Sequence, residues 1–206
     1  PAVAASTHRS CTTTIPGVKA SYRAKLSPAT NQVILVRGKN KRSSFNKVEY
    51  WQRDAGCWGL VRKVNGRNGY AGWSTRPTDG SGLSPIGAYS LTDAGGRRAN
   101  PGTTLPYHYG PQSYARFGYR MNNKPVQVFD YVVAVNFNRY IGTPPRDERR
   151  PNSKIRDGGI WFHVSGAGAT RGCVSVSLNN AAWTLRWLTP SDKPMIIMGP
   201  NSVLKA

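Results

Sequence analysis

The sequence predicts a mainly β domain with one late helix. Glycine (22) and proline (15) punctuate a chain that also carries six tryptophans and ten tyrosines, a composition of many short strands joined by turns rather than of a helical bundle. Strand-length runs of aliphatic and aromatic residues recur along the chain, whereas apolar residues fall at helical spacing only near its end. At 206 residues there is enough chain for one domain with a sizeable core.

In chain order, residues 1–25 are polar and irregular and read as a flexible segment tethered through Cys11, leaving 26–206 as a single domain. Gln32–Arg37 is a continuous aliphatic run suited to a buried strand. Asn46–Arg53 and Cys57–Val64 flank Asp54, Ala55 and Gly56, which reads as a hairpin with a short glycine-containing loop. Residues 74–85 are too rich in Gly, Pro and Ser for a strand and read as a surface loop. Ile86–Leu91 is a short strand, and 93–116 is irregular, with Tyr107, His108, Tyr109 and Tyr114 lining a groove or packing beneath the loop. Val126–Phe137 is the most strand-like run and is expected to be central. Ser177 caps a helix from Leu178 to Leu188 that Thr189-Pro190 stops, with Leu178, Ala181, Ala182, Leu185 and Leu188 as its core stripe. Met195–Met198 closes as a last strand.

Twenty-nine Lys and Arg against nine Asp and Glu give a formal charge of +20, which favours polyanionic partners, whether nucleic acid, anionic lipid or an acidic cell-wall polymer. No zinc-finger spacing, basic zipper or RNA-binding aromatic signature accompanies the charge, so specific nucleic-acid recognition is not expected. No apolar run is long enough to span a membrane, and the opening Pro1–Ser6 resembles the small residues left at a signal cleavage site, so a processed, secreted form is expected. Three cysteines in such a chain imply one disulfide and one free thiol. Three pairings are open; Cys11–Cys57 is preferred because pairing would inactivate Cys173, which sits in the most reactive-looking stretch.

That stretch, Gly158–Ser177, holds His163 and Cys173 on either side of a glycine-rich turn. At period two Ile160, Phe162 and Val164 share one face, with Trp161 and His163 on the other. Val174 and Val176 likewise oppose Cys173 and Ser175. Each face away from the core thus carries chemistry, the layout of a thiol nucleophile and its base. Positive neighbours, His163 and Arg171, are expected to favour the thiolate, and the Gly172 and Cys173 amides to hold an oxyanion. The alternative is an inert buried cysteine beside a core histidine. Other chemistries fail on their residues. Gly166–Arg171 has arginine where a dinucleotide-binding turn needs its third glycine, Ser165 lacks the preceding glycine of a nucleophile elbow, and no His/Cys cluster has zinc spacing.

Phe162-His163 followed by Thr170-Arg171-Gly172-Cys173-Val174 resembles the signature of the YkuD-type L,D-transpeptidase catalytic domain, a histidine followed by a Ser/Thr-X-Gly-Cys element. Gly66–Tyr70, Ser84–Tyr89 and Phe129–Asn136 are similar to that family's glycine turn, Thr-Pro-x-Gly-x-aromatic segment and pre-catalytic strand, in the same order. The chain departs from the common pattern in carrying Arg171 where many members have histidine and in a His-to-Cys interval of ten positions.

The resemblance implies a β-sandwich-like fold with a C-terminal helix after the catalytic cysteine, and a secreted, cell-wall-associated enzyme needing no cofactor or metal. It implies acyl transfer on peptidoglycan stem peptides, with Cys173 expelling D-alanine from a tetrapeptide, His163 as base and Gly172 at the oxyanion. Arg171, Thr170, Tyr131, Asn136 and Trp161 are the implied substrate contacts. Transfer to a second stem's diamino acid makes a crosslink; transfer to water makes the protein an L,D-carboxypeptidase. A non-catalytic wall-binding module of the same fold is the third reading.

Overall fold

A computed structural model of the chain describes residues 10–115, 118–121 and 124–205. Thirteen strands appear in the order β1 (Gln32–Gly38), β2 (Phe45–Asp54), β3 (Cys57–Arg67), β4 (Gly72–Ser74), β5 (Leu83–Pro85), β6 (Gly87–Gly96), β7 (Tyr107–Tyr109), β8 (Gly118–Met121), β9 (Lys124–Gln127), β10 (Val132–Val135), β11 (Trp161–Val164), β12 (Val174–Val176) and β13 (Met195–Pro200). Three helices join them: α1 (Ala20–Arg23), α2 (Leu178–Trp187) and α3 (Asn201–Lys205).

The main sheet runs β10-β11-β12-β3-β2-β1-β13-β6, and β6 pairs back onto β10, so eight strands close on one another, with β7 appended to the end of β6. β1 with β13 and β11 with β12 are the parallel neighbours within this closed set. Closure removes the free edges that an open sheet would otherwise have to protect. The β2–β3 hairpin turns on Ala55 (φ 48°) and Gly56 (φ 78°), two successive left-handed residues that match the strand twist.

Alternation decides which face is which. Ile34, Val36, Val48, Tyr50, Phe162, Val164, Val174 and Val176 point inward to the main core. Ala181, Leu185 and Leu188 come down on the same core from α2, which Ser177 caps by accepting the Asn180 N–H. Tyr50 meets Trp183 and Trp187 edge-on at 4.9 and 5.4 Å, and its hydroxyl bonds Thr184 Oγ1 at 2.7 Å. A smaller cluster forms on the other side of β1, where Val33, Leu35, Trp51 and Ile197 receive Ile15, Val18 and Tyr22 from the N-terminal segment.

A disulfide joins Cys11 and Cys57, 46 residues apart, and the backbone of Thr12 pairs with that of Trp58 beside it. Loop-closure entropy for that span makes the bond worth roughly 4 kcal/mol. Replacing both cysteines with serine should therefore lower the unfolding free energy by about that amount, read from urea titrations extrapolated to zero denaturant, with a steeper slope because the unfolded chain is released.

Two expectations change. Val126–Phe137 is not one strand: a turn at 128–131 separates β9 from β10. Asp130 is buried there and pairs with Arg97 and Arg98 at 2.6 and 2.8 Å, an arrangement that a continuous strand would not provide. Residues 74–85 also gain structure at both ends, where β4 and β5 pair in parallel and Ser84 of β5 bonds the Gly172 carbonyl.

Candidate active site

His163 lies in β11, and Cys173 lies one residue before β12. The parallel register Phe162↔Val174 and His163↔Ser175 places Trp161, His163, Cys173 and Ser175 on one face of the two strands, opposite the apolar core. His163, Thr170, Arg171 and Cys173 line a cavity of about 410 Å³, walled by Val128, Phe129 and the Gly166–Ala169 turn.

Each chemical group is held by backbone and rings packed around it. His163 Nδ1 lies 2.8 Å from the Val164 carbonyl oxygen. A carbonyl only accepts, so Nδ1 carries the proton and Nε2 is left as the basic nitrogen. Phe129 stands edge-on to the imidazole at 5.1 Å and to Trp161 at 4.8 Å. Burial pulls His163 down to about 4, against the upward pull of the Val164 and Val128 carbonyls.

Cys173 Sγ accepts the Trp161 N–H at 3.3 Å and donates to the Gly159 carbonyl at 3.8 Å. Burial pushes its thiol up to about 11; the Trp161 N–H opposes that shift and the nearby Asp157 carboxylate adds to it. The resting pair is therefore neutral thiol and neutral imidazole, not the thiolate expected from positive neighbours, because desolvation dominates. Among the described residues no hydrogen bond joins the two side chains. Arg171 is exposed and forms no ion pair among them. Asp157 instead accepts the Gly158 N–H at 2.9 Å and lies beside Asp79.

The turn before Cys173 is stitched from behind. Thr170 N–H donates to Asn68 O at 3.1 Å, and Tyr70 N–H to Thr170 O at 2.9 Å. Buried Ser84 accepts the Gly69 N–H at 2.9 Å and donates to the Gly172 carbonyl at 2.6 Å. Thr170 Oγ1 accepts the Gly172 N–H at 3.1 Å and donates to Cys173 O at 2.5 Å. Of the two amides expected at the oxyanion, that of Gly172 is thus engaged, while that of Cys173 faces its own sulfur.

The remaining expected contacts separate. Trp161 packs its ring with Tyr114, Val132 and Ala134, and touches the site through its backbone. Asn136 lies away from the cavity, donating to Ser90 Oγ and Thr92 Oγ1 at 2.8 and 3.0 Å and accepting from Arg139 at 2.6 Å. Tyr131 packs on the main core. Phe129, Ser84 and Asp157 were not among the expected site residues. Ser84 and Phe129 both lie in segments that the family resemblance marked, but Phe129 reaches the imidazole through the 128–131 turn, which that resemblance read as strand.

The two shifts fix a pH dependence. Both groups stay neutral between about pH 5 and pH 10, so cysteine-dependent acylation should be flat there and fall only as His163 protonates near 4. Rates of adduct formation against pH check this; an acid limb centred at 6.5 would mean that the imidazole is solvated. Unfolded His163 takes a proton below about 6.5 while the native side chain resists until about 4, so this group lowers stability as pH falls through that window.

The profile of the YkuD L,D-transpeptidase catalytic domain matches residues 33–197. None of the curated proteins matches the chain. Among solved structures the chain is similar to Bd1075 of Bdellovibrio bacteriovorus, at 14% identity and a TM-score of 0.46 over 82% of this chain and 48% of that one. The chain thus spans about half the length of that protein. With four-fifths of the sequence inside the matched span and the His163–Cys173 elements within it, the chain belongs to the L,D-transpeptidase catalytic domain family of bacterial cell-wall enzymes.

Proposed function

We propose that this protein is a peptidoglycan L,D-transpeptidase working through a Cys173 acyl-enzyme. The observation that carries the reading is the shared cavity: a free cysteine and a histidine line one space of about 410 Å³. Acylation starts from the neutral pair. As Sγ attacks the carbonyl of the third stem residue, its proton passes to His163 Nε2, and charge develops on the carbonyl oxygen. The Cys173 N–H is the donor for that oxyanion. Collapse breaks the C–N bond, and the imidazolium returns the proton to the departing D-alanine amine. The sulfur must leave the Gly159 carbonyl to reach Nε2, a tightening that substrate binding commonly brings.

Arg171, exposed at the cavity rim without a carboxylate partner among the described residues, is the proposed clamp for a stem carboxylate. Thr170 acts through the turn that it buckles. The formal charge of +20 supports retention at an anionic wall outside the cell, consistent with the disulfide. No helix among the described residues is long and apolar enough to cross a membrane.

Intact mass after mixing with a tetrapeptide stem tests the reading. The wild type should gain the tripeptide acyl mass and release D-alanine, and Cys173→Ala should gain nothing. An adduct that survives the substitution would overturn the assignment. Crosslinked dimer among the products supports transfer; free tripeptide alone supports the carboxypeptidase reading.

A further inference from the structure

A second and larger cavity, of about 860 Å³, adjoins the catalytic one. The two share Gly166, and one turn walls both: Val128 and Phe129 face the catalytic space, Gln127 and Asp130 the larger. The register ties them further, because Arg67 of β3 pairs with Ser175, two residues beyond Cys173, or about 7 Å along the strand.

Six cations line this space: Arg37, Lys39, Lys47, Lys63, Arg67 and Arg98. Arg37 and Lys63 share Glu49, both at 3.0 Å, and Arg98 pairs with Asp130 at 2.8 Å. Lys39, Lys47 and Arg67 have no carboxylate partner among the described residues. Lys47 meets only the Asn65 amide oxygen, while Arg67 bonds Ser44 and lies 3.9 Å over the exposed Phe45 ring. Three uncompensated cations in a concavity concentrate positive potential there. Phe45, Val164 and Leu178 add apolar surface between them.

Building on the transpeptidase reading, we infer that this cavity is the subsite for the acyl acceptor, and that it selects an anionic peptide through Lys39, Lys47 and Arg67. The volume suits a short oligopeptide. The mixture of cations and apolar surface matches a chain of carboxylates on aliphatic stems, whereas a phosphodiester polymer offers little apolar surface to match. Docked here, the peptide presents its free-base side-chain amine towards Cys173. The amine attacks the thioester carbonyl, the C–N bond forms as the C–S bond breaks, and the amine proton moves through His163 Nε2 to the departing sulfur.

The test combines Lys39→Glu with Lys47→Glu, both exposed, and uses Lys25→Glu with Lys205→Glu as a charge-matched control outside either cavity. With the enzyme acylated by donor tetrapeptide and offered acceptor tetrapeptide, the ratio of crosslinked dimer to hydrolysed tripeptide should drop about tenfold or more in the first pair only. Acylation itself reads the proposed function separately. A ratio within twofold of wild type, or an equal drop in the control, overturns the subsite. Binding to Cys173→Ala decides the matter even without turnover. Amidating the peptide's carboxylates should weaken binding about tenfold, and the Lys39/Lys47 charge reversal should erase that difference. Equal affinity for both peptides, or a poly(glycerol phosphate) oligomer as the ligand whose binding is lost instead, refutes the inference.

Discussion

Replacing His163 with glutamine should slow acylation by a tetrapeptide about 10³- to 10⁴-fold at pH 7, with the fold intact. The loss follows from chemistry rather than packing. Cys173 rests as a thiol raised to about 11 by burial, so almost no thiolate exists at neutral pH without a base to take the proton during attack. Glutamine keeps an amide donor for the Val164 carbonyl and a similar volume beside Phe129, but it cannot accept the proton. Single-turnover adduct formation by intact mass, alongside thermal unfolding, separates the two contributions. A variant that acylates within tenfold of wild type would remove His163 from the role of base. Raising the pH offers a second check: the variant should recover as the thiol ionises near 11, whereas the wild type stays flat to about 10.

Gly172→Ala should reduce acylation by about two orders of magnitude and also destabilise the protein by roughly 1–3 kcal/mol. Gly172 has φ +144°, a conformation L side chains rarely adopt. A Cβ there would come within 3.0 Å of the Leu83 carbonyl oxygen and 3.3 Å of Ile160 Cδ1. The first contact is with backbone in β5, the strand that also carries Ser84, and cannot yield without moving the turn. Relief must come from the chain immediately before Cys173, which shifts both sulfur and amide. Denaturant titration measures the stability part; adduct formation under conditions where the variant is fully folded measures the displacement. Normal acylation in a folded Gly172→Ala would show that the turn tolerates the shift.

Local pattern carried a good part of this architecture. Period-two alternation placed His163 and Cys173 on the face opposite Phe162, Val164, Val174 and Val176, and the register agrees. A serine cap and an apolar stripe at helical spacing marked α2, and Ala55-Gly56 marked the β2–β3 turn. These features depend on neighbours a few residues apart, which a sequence displays directly. The α1 and α3 helices escaped notice because segments of four and five residues hold little periodicity.

By itself the sequence determined the mainly β class and the helix after the cysteine, and it put His163 and Cys173 on the strand faces away from the core, because each rests on residue type and short spacing. Tertiary structure alone decided the state and surroundings of that pair. Desolvation, set by everything packed around it, made Cys173 a thiol rather than a thiolate. Asp130 captured Arg97 and Arg98, broke a run that reads as one strand, and so turned Phe129 onto the imidazole. Asn136 was drawn into hydrogen bonds with Ser90 and Thr92, more than forty residues earlier, and away from the cavity. Thr170 turned inward to fix Gly172 and Cys173. Burial and long-range polar pairing are properties of the closed sheet, and for Asp130 and Asn136 no short window along the chain contains both partners.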